Sequence, residues 1–382
     1  MGLTRKADGP GRAGDASVEV LQAGEARSAR IESLRALAAL AVVFSHVFEA
    51  AKGASAFHGF LNRVLFGGGF AVWVFFALTG YLLYLPFARH QFAGSGKVDY
   101  RRYAVNRAVR ILPLYYTVVI VCLIWIGHGG TIGEWVRFGL FGETYSYKTL
   151  GFIDGPIWSL VVEVQFYILL PFLVMAVHGL ARRSIARAGM IIGALCLLTG
   201  FVRWATYLNQ RVPSQMWRYT FPATCCFFFP GMLLALLKVR WDSHPPAWLR
   251  GATASSAMWV LASVPFWLLV FDRYNWDLLV GPASFLLIGA CVLPLRPSAA
   301  TRVLEWRPLA VLGVASYSLY LWHFPLIQKM SGHLHGKGLG VDVLVMMPVT
   351  IVVALVSYRV VEAPFLRLRR RWQGSERRPA PR

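Results

Sequence analysis

The sequence predicts an all-α integral membrane protein with about ten transmembrane helices and both termini in the cytoplasm. Three observations carry this. Hydrophobic residues make up 57% of the 382-residue chain and charged residues only 15%, against about 25% charged in soluble domains. Ten apolar runs each approach or exceed the roughly 18 residues that cross a bilayer. The basic residues are unevenly divided: 27 Lys and Arg fall in segments on the side of the termini, nine on the other side, and three within runs. Basic residues favour cytoplasmic segments, so this asymmetry supports both the count and the orientation.

Taken in order, residues 1–30 are polar, rich in Gly and Ala, and expected to be a disordered cytoplasmic segment. The runs follow at 32–51, 67–88, 111–128, 156–178, 188–206, 220–237, 255–272, 277–294, 309–328 and 340–361. The seventh and eighth must turn tightly near "DRYN". The membrane domain covers residues 31–366, and the basic tail 367–382, "RLRRRWQGSERRPAPR", is expected to lie along the inner leaflet. No cleavable signal peptide is expected, because the first run is longer than an h-region of about 7–15 residues. The formal charge of +21 reads as membrane topology and contact with anionic lipid, not as nucleic-acid binding. Cys122, Cys196, Cys225, Cys226 and Cys291 all fall in runs and form no CxxC; they read as small buried hydrophobes. "HLH" at 333–335 has too few partners for a metal site, and no metal is expected. The oligomeric state is not legible.

Ionisable groups inside apolar runs are costly and usually face a cavity or a partner. The first run, "IESLRALAALAVVFSHVFEA", holds Arg35 and His46. Their eleven-residue separation is about 20° past three helical turns, so they share one face about 16 Å apart. Arg35 lies near the cytoplasmic end, where snorkelling would also explain it. In the fourth run, Ser159, Glu163, Phe166 and Leu170 share a face, with Trp158 and Tyr167 flanking it. Counted from the helix end, Glu163 falls near the depth of His46, and His323 of the ninth run lies within about 10 Å of its outer end. His46, Glu163 and His323 therefore point to one outer layer, either a polar cavity or a structural polar cluster. Thr79-Gly80 in the second run reads as close helix packing through small residues. The loop "VDYRRYAVNRAVRILPLYY" sets Arg107 and Arg110 one turn apart, downstream of Arg101 and Arg102. Such a pair either holds phosphate oxygens or simply anchors the helix at the inner face.

Together these stretches resemble the acyltransferase-3 family of integral membrane acyltransferases, over roughly residues 30–366. The resemblance rests on the Arg-x10-His pair, Arg35 and His46, and on "FFALTGY", with Thr79 where Ser is more usual. It continues with Arg107 and Arg110 as a basic RxxR, "WSLVVEVQFY" from Trp158 to Tyr167, "SYSLYLWHFP" with Tyr317 and His323, and the terminal "VEAPF". The resemblance implies transfer of an acyl group, often acetyl, from cytosolic acyl-CoA to a hydroxyl. Acceptors in the family include sugars of cell-surface polysaccharides, lipopolysaccharide, peptidoglycan, glycolipids and macrolide antibiotics. Some members carry an SGNH-type esterase domain; none is visible here, so the acceptor step is expected to be completed by the membrane domain or by another protein.

A hydroxyl nucleophile needs a base within hydrogen-bond reach. His46 is the expected base, since a neutral imidazole accepts a proton at physiological pH. Glu163 would orient it or act as the base itself. Arg35 is the third expected catalytic residue and would also join Arg102, Arg107 and Arg110 in fixing the phosphates of acyl-CoA, with acetyl-CoA the expected donor. Trp158, Ser159, Tyr167, Tyr317 and His323 are the expected substrate-binding residues. Ser45, about 100° off the His46 face, is a weaker candidate nucleophile. The expected partners are acyl-CoA, a carbohydrate or glycolipid acceptor, and membrane lipids. Two alternatives stand beside this reading. One is acylation of a macrolide-type small molecule. The other is a proton-coupled transporter, although no inverted repeat or matching broken helices are visible.

Overall fold

In a computed structural model the chain is almost entirely helical. The structure describes residues 11–51, 59–94, 98–146, 148–150, 153–208, 216–250, 254–334 and 337–375. Among them there is no strand, only an isolated bridge between Ser255 and Arg296. The principal helices are α1 (Gly11–Ala50), α2 (Ala71–Ala93), α3 (Tyr100–Trp125), α4 (Trp158–Ala181) and α5 (Ile185–Leu208). They continue with α6 (Phe229–Ser243), α7 (Ser256–Asp272), α8 (Val280–Val292), α9 (Ser316–Leu334) and α10 (Leu339–Ser357). One end of the bundle, the far end, is where α1 finishes and α4 begins. The other, the basic end, is where α2 finishes and α3 begins.

Among the described residues, eight helical stretches are long and apolar enough to cross a membrane, or nine if the bent pair Arg307–Val314 and α9 is one span. The remaining expected run is α7, an apolar helix of 17 residues, about 26 Å long by helical rise. The N-terminal segment departs from expectation: α1 starts at Gly11 and continues unbroken into the first span. The segment "VEVLQAGEARSARIESL" is dominated by strong helix formers. Residues 1–10 and 376–382, the outer parts of the two expected terminal segments, lie outside the described residues, as does His335.

Two glycine contacts set the helix arrangement. A Cβ on Gly231 of α6 would lie 1.8 Å from the Ala77 carbonyl oxygen, and one on Gly80 of α2 would lie 2.1 Å from that of Phe228. The two backbones therefore touch, the packing that small residues permit in lipid. Phe76, Phe228 and Phe166 stack across this crossing at 4.5 and 4.0 Å. Phe166 sits one turn beyond Glu163, so the stack sets the height of Glu163 in the bundle. The second contact is Gly313, where a Cβ would lie 1.8 Å from the Glu32 carbonyl oxygen. The helix Arg307–Val314 is pressed against α1, and the chain bends by 70° before α9. The sequence reading put one span at 309–328; this break comes from a tertiary contact. The Val314 carbonyl, freed at the break, accepts from Arg110 Nη2 at 3.4 Å, which satisfies a group that lipid cannot.

Between α3 and α4 the chain folds inward over the far end, burying Ile153 and Ile157 against Tyr115 and Leu123. Glu143 and Asp154 are each 1% exposed in this segment. Burial pushes the Glu143 carboxyl up to about 8. Burial, and then the neighbouring Glu143, raise Asp154 well above the ordinary carboxylate range.

Candidate active site

Three cavities lie along the bundle. One of about 540 Å³ is at the far end and contains His46, Glu49, Trp158 and Tyr320 in its wall. A narrow one of about 50 Å³ lies in the middle, walled by Arg35, Thr79, Ser159, Glu163, Tyr317 and Tyr320. The third, about 340 Å³, is at the basic end and is lined by Arg102, Tyr103 and Arg107. Val72 and Tyr320 belong to both the middle and the far cavity.

In the far cavity, His46 Nδ1 lies 3.4 Å from Glu49 Oε2, one turn along α1. The imidazole packs 5.2 Å from the ring of His323 and 5.3 Å from that of Phe324. His323 is fully buried behind it. Its Nδ1 contacts the Tyr320 carbonyl at 2.5 Å, and its Nε2 has no partner among the described residues. A carbonyl only accepts, so Nδ1 carries the proton and the buried Nε2 is a bare acceptor. The Ser45 hydroxyl is turned into α1, donating to the Val42 carbonyl at 2.8 Å.

In the middle cavity, Glu163 Oε1 accepts from Thr79 Oγ1 at 2.6 Å and from the Tyr167 hydroxyl at 2.5 Å. Both donors use one oxygen, which leaves Oε2 for the cavity. Arg35 Nε donates to Ser316 Oγ at 3.3 Å, with Glu32 Oε2 at 3.8 Å. Ser159 Oγ donates to Tyr320 Oη at 2.8 Å, and Tyr320 donates to the Pro156 carbonyl at 3.1 Å. Toward the basic end, the Arg107 guanidinium lies 5.9 Å over the Tyr167 ring, and the Tyr103 hydroxyl donates to the Tyr167 carbonyl at 3.0 Å. Tyr167 thus touches Glu163 of the middle cavity and Arg107 of the basic one, while Tyr320 lines both the middle and far cavities.

The structure divides the residues expected to act together. Glu163 is grouped with Arg35, while His46 has Glu49 as its carboxylate. Depth counted from helix ends assumed a common starting plane. Trp158 at the start of α4 lines the far cavity with His46, while Glu163, further along the helix, lines the middle one. Arg107 and Arg110 also separate. Arg107 lines the basic cavity with Arg102, whereas Arg110 Nη1 pairs with the buried Glu362 Oε2 at 3.0 Å. Arg110 also sits over Tyr317, whose hydroxyl donates to the Ile111 carbonyl. Of the other expected residues, Trp158 lines the far cavity and Ser159 and Tyr317 the middle one. Glu49, Thr79, Tyr320 and Glu362 were not singled out as site residues. Their signals were the carboxylate three residues after His46, the hydroxyl in "FFALTG", and the polar positions of "SYSLYLWHFP" and "VEAPF".

The chain matches the family model for the acyltransferase domain over residues 28–359. It is 27% identical over 366 residues to the putative peptidoglycan O-acetyltransferase YrhL of Bacillus subtilis (strain 168), covering 87% of this chain and 54% of that protein. It is 23% identical over 361 residues to the O-acetyltransferase OatA of Staphylococcus aureus (strain NCTC 8325 / PS 47), covering 87% and 56%. Against the peptidoglycan O-acetyltransferase OatA of Listeria monocytogenes serovar 1/2a the identity is 23% over 363 residues, covering 87% and 55%. The chain spans about half the length of these curated relatives. No solved structure matches it. With its long apolar helices and a family match along most of its length, the chain belongs to the acyltransferase-3 family of multi-pass integral membrane acyltransferases.

Proposed function

We propose that this protein moves an acetyl or other short acyl group from acyl-CoA, entering at the basic end, to a carbohydrate hydroxyl bound in the far cavity. One observation carries the reading: the middle and far cavities adjoin at Tyr320 and Val72, which supports a route past Arg35 and Glu163 to His46. The basic end is then cytoplasmic, as the excess of basic residues there supports. The relatives named as peptidoglycan O-acetyltransferases support a glycan acceptor.

Arg102 and Arg107 bind the phosphates of the donor, since a guanidinium matches phosphate oxygens. The pantetheine arm passes Tyr167 and Tyr320. Arg35 donates to its amide carbonyls and Glu163 Oε2 accepts from its amide N–H groups. With Nδ1–H directed at Glu49, His46 Nε2 carries the lone pair and takes the acceptor proton. The acceptor oxygen forms a bond to the thioester carbon, the C–S bond breaks, and the departing CoA thiolate takes the proton from the imidazolium.

The test is transfer of labelled acetyl from acetyl-CoA to oligosaccharide by the purified full-length protein in detergent. His46→Ala is expected to lower the rate about 10²–10⁴-fold. Wild-type turnover in that variant would reject His46 as the base.

A further inference from the structure

The lining of the far cavity points to the chemical class of its ligand, on the reading that it is where the acceptor binds. Its volume of about 540 Å³ lies within the ordinary range for ligand pockets, about 300–1,000 Å³. Its wall is aromatic: Trp158 lies 4.9 Å from Tyr219 and 5.5 Å from Trp73, and Tyr274 joins them. Such faces suit flat, partly apolar rings that keep a polar edge.

Two guanidinium groups also line the cavity, and they differ in charge balance. Arg203 is 4% exposed. Its Nη2 and Nε bond Asp277 Oδ2 at 2.5 and 3.1 Å, and it lies 4.9 Å over Trp73. Its charge is neutralised within the wall. Arg218 is different. Its Nε and Nη2 donate to the Thr206 carbonyl at 3.4 and 3.2 Å, and it lies 4.4 Å over Tyr207. Among the described residues no carboxylate pairs with it. A guanidinium has five N–H donors, so donors and a net positive charge remain for the cavity. The carboxylate lining the cavity is Glu49, beside His46. The cavity therefore sets one carboxylate, beside His46, and one guanidinium without a carboxylate partner, Arg218, in an aromatic wall.

We infer that the far cavity selects a saccharide bearing an anionic group, a carboxylate or a phosphate, which pairs with Arg218 while its rings stack on Trp158 and Tyr219. Repulsion from Glu49 then turns the acid away from His46 and presents a hydroxyl to it.

Quenching of tryptophan fluorescence in the full-length protein tests this, because Trp73 and Trp158 line the cavity. The probes are maltotetraose, the same oligomer with a terminal carboxylate, and the same oligomer with a terminal phosphate. One or both anionic probes are expected to bind about tenfold more tightly than the neutral one. Arg218→Gln is expected to bring that ratio close to one, and Arg218→Lys, which keeps the charge, to retain roughly a threefold preference. Response to one anion alone identifies an acidic sugar or a sugar phosphate respectively. Equal binding of neutral and anionic probes by the wild type, or an unaltered ratio in Arg218→Gln, overturns the inference. Quenching does not require turnover. Anion preference in a protein that transfers no acyl group would sink the transfer reading alone; transfer without anion preference would sink this inference alone.

Discussion

Ser159 donates a 2.8 Å hydrogen bond to Tyr320, the side chain that separates the middle cavity from the far one. Tyr320 passes the next bond to the Pro156 carbonyl at 3.1 Å. The middle cavity, about 50 Å³, holds no more than a few water molecules, so an acyl arm passes only when Tyr320 turns. Tyr320→Phe keeps the ring and removes both bonds. We expect acetyl-CoA hydrolysis without acceptor to rise about fivefold, the worth of one such bond, while the transferred fraction falls. Hydrolysis at the wild-type rate would show that the relay does not hold the boundary closed.

Thr79 supplies one of the two donors to Glu163 Oε1. Thr79→Val keeps the shape and removes the donor, and is expected to slow transfer about tenfold. Thr79→Ser should retain most of the rate. Initial rates at saturating acetyl-CoA, with elution volume as a check on folding, separate the two variants.

Arg107 and Arg110 should fail in different ways. Arg110→Ala leaves Glu362, 3% exposed, buried without its cation. That is expected to cost about 3–5 kcal/mol of stability, seen as a large fall in Tm. Arg107→Ala should instead raise KM for acetyl-CoA with a far smaller change in Tm. Equal loss of stability in both would contradict the division of the pair.

The buried Glu143 makes a pH prediction for the segment over the far end. Its carboxyl is raised by burial to about 8 in the folded state, from about 4.3 in an unfolded chain. Protonation therefore favours the folded form. The stability this contributes is fully present below about pH 4.3 and is lost progressively as pH rises to about 8. Asp154 shifts in the same direction. Tm measured across this range should fall, and Glu143→Gln should flatten the slope. A slope of equal size in that variant would place the titration elsewhere.

The helices were legible because hydropathy is local: each of the ten apolar runs is helical, the ninth in two bent pieces and the short α7 included. The break before α9 was not, because it depends on Gly313 meeting the Glu32 carbonyl from a distant part of the chain. The site was half legible. Helical periodicity put Arg35 and His46 on one face, and they line adjoining cavities. It did not say which parts of α1 and α4 face each other, so Glu163 was expected beside His46 and lines the middle cavity with Arg35 instead. Glu49 stood one turn from His46 in plain sight, but an acid near a helix end reads as an ordinary interfacial group. Glu362 and Arg110 meet only through folding, 252 residues apart in sequence.

The most direct test of the account is sided. Purified protein is reconstituted into sealed vesicles with labelled acetyl-CoA on the basic side and oligosaccharide only on the other. The two-cavity path predicts acetylated saccharide in the compartment that holds no acetyl-CoA, and its loss in His46→Ala. Product formed only when both substrates share one compartment would contradict it.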